Sequence, residues 1–82
     1  MRGKEMKKQE IFWIEPYAKD GCSFSADVAY SYKEAQEIAK FYKNEADEQG
    51  YHQICIWKNR IDIDYGDQPD YSTDPEWMWK RE

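Results

Sequence analysis

Two aspartates two positions apart, Asp62 and Asp64, come nearest in this chain to a reactive pair. On one face of an extended strand their carboxylates would stand about 6.5–7 Å apart, twice the rise per residue. Inverting glycosidases hold acid and base roughly 6.5–9.5 Å apart, so the spacing alone would suit them. An exposed D-x-D is more often a solvated strand face, however, and 82 residues leave little room for a sugar cleft. A small carboxylate-based hydrolase or ligand-binding domain is therefore the second alternative and not the leading reading.

Other chemistries find less support. The single histidine, His52, lies three residues before Cys55, so in one strand the two side chains point to opposite faces. Only Cys22 could approach His52 from elsewhere, and no G-x-S-x-G turn is present. Two cysteines and one histidine do not supply the four ligands of a structural zinc site. Counted from Asp62, the calcium-loop pattern needs glycine at its sixth place and glutamate at its twelfth, where Asp67 and Thr73 stand. The four glycines are scattered singly, which leaves no phosphate-cradling loop. The chain is read as a non-enzymatic protein with neither cofactor nor metal.

Charge and composition narrow the partners. The net charge is −5, and 17% of residues are aromatic, too many for a disordered chain. An acidic balance opposes direct binding to DNA or RNA, where cations must neutralise phosphate, and opposes docking on an anionic membrane. The longest strictly apolar run, residues 11–14, is far too short for a spanning helix or a signal peptide, so a cytoplasmic location is expected. Cys22 and Cys55 are too few for a disulfide framework and are expected as reduced core thiols, with a single bridge between them only in an oxidising compartment.

The elements that must position these residues follow from periodicity. Residues 31–50 carry a helix signature: a Ser31/Glu34 capping box, an apolar stripe of Ala35, Ile38, Ala39, Tyr42 and Ala46, and Gly50 as terminator. Its alanines predict that the helix lies closely on a sheet. Residues 1–9 are polar and basic and are expected to form a flexible arm, followed by one domain over 10–82. Residues 10–17 read as a strand with Pro16 at its edge or exit. Residues 22–30 alternate, with Cys22, Phe24, Ala26, Val28 and Tyr30 on one face, and complete a hairpin through Asp20-Gly21.

Residues 51–57 and 61–65 read as a second hairpin about Lys58-Asn59-Arg60. Its Ile54, Ile56, Ile61 and Ile63 would face the helix, leaving Tyr51, Gln53, Cys55, Trp57, Asp62 and Asp64 on the reverse face. Residues 66–75 read as loop, and Thr73 to Glu76 as a capping box opening a short C-terminal helical turn with Trp77 and Trp79. The predicted fold class is α+β: a single small β-β-α-β-β domain, one amphipathic helix on an antiparallel sheet.

Between Ile61 and Trp79 stand six acids (Asp62, Asp64, Asp67, Asp70, Asp74 and Glu76) and no lysine or arginine. They are interleaved with Tyr65, Tyr71, Trp77 and Trp79, and Trp57 shares the expected reverse face. Aromatic anchors among steering charges suit a protein interface, and these eleven residues form the candidate partner-binding set. One sheet face is left uncovered by a single helix, so Trp77 and Trp79 either fold back over Trp13 or Trp57 there or present a docking epitope. Size, acidity and lack of catalytic groups look like those of small inhibitors that phages and mobile elements direct at host enzymes or defence nucleases, some of them nucleic-acid mimics. No residue motif carries that likeness. The leading expectation is an acidic anti-defence-type inhibitor occupying a basic site on a nucleic-acid-binding protein partner. The first alternative is a structural or accessory module, a homodimer through Trp13, Trp77 and Trp79.

Overall fold

The computed structural model describes residues 10–59 and 69–81. Four antiparallel strands form one sheet in the order β2-β1-β3-β4, with β1 at Phe12–Tyr17, β2 at Asp27–Ala29, β3 at Gln53–Lys58 and β4 at Trp77–Lys80. Between β2 and β3 run α1 (Tyr32–Asn44) and the single turn α2 (Ala46–Gln49). The predicted α+β architecture, a helix packed on an antiparallel sheet, is what the chain adopts. The expected strand at 61–65, with Asp62, Asp64, Ile61, Ile63 and Tyr65, lies outside the described residues, as do the arm at 1–9 and Asp67.

The helix begins as its sequence dictates. Ser31 Oγ accepts the Glu34 N–H at 3.1 Å, satisfying a donor that the first turn leaves open. The return arm differs from a capping box, because Glu34 Oε1 accepts the N–H of Tyr30, at 3.3 Å. The helix also breaks at Glu45, whose N–H is shared between the carbonyls of Phe41 and Tyr42. Beyond it, Gly50 takes the left-handed conformation (φ 81°) and returns its N–H to Ala46. Ala35, Ala39 and Ala46 are fully buried, and Ile38 and Tyr42 flank the core.

That alanine stripe seats α1 on Phe12, Ile14, Ala29, Ile54 and Ile56. The pairings Ile14↔Ile56 and Pro16↔Ile54 put these side chains on one face, as the isoleucine spacing of β3 predicts. Pro16 is the penultimate residue of β1, at its exit as expected, and it is buried. Its carbonyl accepts from Phe24, so its missing N–H falls on the side away from β3, where pairing with β2 has already ended at Asp27.

Three expectations are corrected. Residues 22–30 form only a three-residue strand, and its buried member is Ala29; Phe24, Val28 and Tyr30 are exposed, so the even-numbered apolar face is not the core face. Cys55 is buried but Cys22 is exposed, and both are free thiols. The C-terminal segment is a strand and not a helical turn. The Glu76 N–H that a Thr73 cap would need bonds instead to the Ile56 carbonyl, and the Thr73 hydroxyl turns back to the carbonyl of Asp70. Trp77 and Trp79, opposite Ile56 and Ile54, therefore pack on the helix side of the sheet, beside the core. Arg81 fastens the strand's end, donating to the carbonyl of Tyr51 and to Asp47 of α2 while its guanidinium lies 5.5 Å from the Trp79 ring centroid.

Ile14→Ala should lower the unfolding free energy by about 2–5 kcal/mol, whereas Phe41→Ala at an exposed helix position should change it by less than about 0.5 kcal/mol. Urea titration followed by tryptophan fluorescence distinguishes them. A thiol-specific disulfide reagent should label Cys22 in the native protein and reach Cys55 only on unfolding.

Candidate docking face on the open side of the sheet

The face turned away from α1 is built from the other parity of each strand. Trp13, Glu15 and Tyr17 come from β1, Gln53, Cys55 and Trp57 from β3, Val28 from β2, and Met78 and Lys80 from β4. Across the strands these make three rows: Val28–Trp13–Trp57, Glu15–Cys55–Met78, and Tyr17–Gln53–Lys80. Cys55 is sealed within the middle row, its sulfur 3.5 Å from the amide nitrogen of Gln53, which also reaches Met78. Burial pushes the Cys55 thiol up. Cys22 is also pushed up, by its contact with Asp20. A nucleophilic cysteine needs the opposite shift, towards thiolate.

One row is completed by a loop. Pro69 bridges to Asn59 and the Asp70 N–H bonds to the Lys58 carbonyl, while Glu76 bonds to Ile56. Residues 71–75 therefore bulge outward just before β4, between the hydrogen bonds to Lys58 and to Ile56 of β3. The bulge is held by the residue just before it: Asp70 Oδ1 accepts from the N–H of Ser72 at 3.1 Å and from the Ser72 hydroxyl. Tyr71 turns back over the sheet and meets Trp57 edge to face, with ring centroids 5.0 Å apart.

Four side chains then close a ring. The Tyr71 hydroxyl donates to Glu15 Oε2 at 2.7 Å, and the Tyr17 hydroxyl donates to Oε1 at 2.8 Å. Trp57 Nε1–H donates to the Tyr17 oxygen at 2.8 Å, and the Trp57–Tyr71 ring contact completes the circuit. The Tyr17 phenol is pushed well above its ordinary range, by burial first and by the Glu15 carboxylate second. Tyr71 is pushed up to about 12 for the same two reasons in the same order.

Of the eleven residues singled out in the sequence, Trp57 and Tyr71 meet on this face, and Asp70 shapes the bulge beside them. Asp74 is exposed on the bulge, and Glu76 is exposed where β4 begins, its carbonyl accepting from Tyr32 at 3.4 Å. Trp77 and Trp79 stand on the other side of the sheet. Asp62, Asp64, Tyr65 and Asp67 are not among the described residues. Glu15, Tyr17 and Met78 were not singled out, although the alternation Trp13-x-Glu15-x-Tyr17 against Phe12-x-Ile14 marks a second face of β1.

Among the described residues no helix is long and apolar enough to cross a membrane, and no three His, Cys, Asp or Glu side chains gather to hold a metal ion. No family model, no curated protein and no solved structure matches the chain.

Because Tyr71 is held protonated in the native state, its share of stability is fully present below its ordinary pKa of 10.0 and is lost as pH rises through about 12. Tyr71→Phe should therefore lose less stability than wild type across that interval. Urea midpoints at stepped pH values, with spectrophotometric titration of tyrosinate alongside, check both the sign and the window.

Proposed function

We propose that this protein is a non-enzymatic binding module whose open sheet face and acidic loop occupy a basic site on a protein partner. A small inhibitor of a nucleic-acid-binding enzyme, of the anti-defence type that phages and mobile elements use, is the form we favour. The observation that carries the reading is the ring on the open face: one carboxylate, Glu15, among Tyr17, Trp57 and Tyr71. Large rings of this kind supply buried area at low conformational cost, and the charge supplies orientation. Six acids stand between residues 61 and 79 in the sequence with no cation among them, which gives this stretch a negative sign. Asp62 and Asp64 would contribute to the decoy through their sign and spacing.

The bulge at 71–75 favours binding for a second reason. Its turn is closed by Asp70 and its aromatic anchor is seated on Trp57, so little ordering remains to be done when a partner arrives. Self-association is the second reading, favoured by the exposure of Val28 and Met78 on the same face. Trp77 and Trp79 lie on the other side of the sheet, partly buried against the core, and neither version depends on them.

Tagged wild type and Asp62→Lys/Asp64→Lys, used as baits in nuclease-treated lysate of a host cell, separate these readings. A basic protein retained by wild type, lost from the charge-reversed bait and released steeply as salt rises would support the inhibitor reading. Equal retention by both baits would remove the acidic segment from the interface. A concentration-dependent mass with nothing else retained would favour the homodimer.

A further inference from the structure

Among the described residues, the Glu15 carboxylate at the centre of the open face accepts hydrogen bonds from two neutral phenols. Among the described residues the ion pairs are Lys58–Glu10 and Arg81–Asp47, and neither involves Glu15. Each Glu15 oxygen accepts one phenolic O–H, which leaves each with unused acceptor capacity. Glu15 is half-buried, so its carboxylate is open to a charged group arriving at the surface of the sheet. On one side it has π surfaces, Trp13 two residues before it on the same face, Trp57 paired across from Trp13, and Tyr71 above Trp57, while Cys55 stands directly opposite.

We infer that Glu15 is the receptor for one arginine side chain of the protein partner, with the guanidinium paired to the carboxylate and flat against the neighbouring indoles. This deepens the docking reading above and rests on it. A guanidinium fits better than an ammonium on two counts. It is planar and weakly hydrated, so it stacks on tryptophan, and its several N–H donors can reach both carboxylate oxygens at once. Nucleic acid is the wrong sign for this position, whereas a basic groove that itself binds phosphate would present such arginines.

The test uses the full chain and a blocked Gly-Arg-Gly peptide, with the citrulline peptide as an uncharged isostere, at near-physiological salt. The indole N–H resonances of Trp13 and Trp57 are followed by NMR, the latter sensitive because it is bonded to Tyr17. The arginine peptide should shift them saturably and the citrulline peptide should not. Glu15→Gln should weaken the arginine peptide at least about tenfold, the size of a charge-assisted hydrogen bond. Equal shifts with citrulline, no shift with arginine, or undiminished binding by Glu15→Gln would overturn the site. If Glu15→Gln does not fold, Tyr71→Phe carries the test. It uncovers Oε2 and should bind the arginine peptide at least as tightly, so weaker binding counts against the proposal.

Partner capture makes the two levels separable. A captured partner indifferent to Glu15→Gln would sink the arginine site and leave the docking reading intact. Saturable, Glu15-dependent arginine binding in a chain that captures nothing would do the reverse. A dimer of the chain that Glu15→Gln converts to monomer would assign the face to a second copy and overturn the proposal.

Discussion

Ile14 stands opposite Ile56 and Pro16 opposite Ile54, and this central register fixes the use of both faces of the sheet. Side chains alternate with period two, so a slip of one residue would exchange the faces of a whole strand. Trp13, Glu15 and Tyr17 would then go under the helix, and Phe12 and Ile14 would go into water. Burying the Glu15 carboxylate there without a cation would be costly. The hydrophobic face therefore selects the register, and the polar face penalises the alternative. Asn59 adds a further constraint, exchanging backbone and side-chain hydrogen bonds with Ile11 at the start of β1.

Much of this architecture is legible in the chain because its signals are local. The Ser31 cap, the alanine stripe and Gly50 are sufficient for the helical region, and the isoleucine alternation is sufficient for the face of β3. What cannot be read locally is which segment lies beside β3. Residues 53–58 and 77–80 are far apart in sequence, and Thr73-Asp74-Pro75-Glu76 carries a genuine local preference for opening a helix. The Ile56 carbonyl competes for the same N–H and wins, because pairing β4 also buries Trp77 and Trp79 beside the core. Tertiary burial here outweighs a capping preference of about 1 kcal/mol.

The candidate face shows the same division. Trp57 and Tyr71 stand out by type within an acidic, aromatic stretch. Their meeting depends on the bulge, which no spacing rule announces. Glu15 is hidden for a different reason: in Glu-Ile-Phe-Trp-Ile-Glu-Pro-Tyr it reads as one polar residue in a run of strand formers. Its importance arises only when a tyrosine two residues on and another more than fifty residues away both turn their hydroxyls to it. Phenols also suit such a position, since they solvate a carboxylate without neutralising it.

The bulge at 71–75 leaves the sheet at Lys58 and rejoins it at Ile56, so both of its ends are anchored to the same strand. Its length is thereby uncoupled from the register of β4. Doubling a loop adds only about 0.6 kcal/mol of closure entropy, far less than the burial of the tryptophans that follow it. Insertions or wholesale replacement of these residues should leave the scaffold standing while changing what the face presents. The sheet and helix can thus stay fixed while this one segment is rewritten.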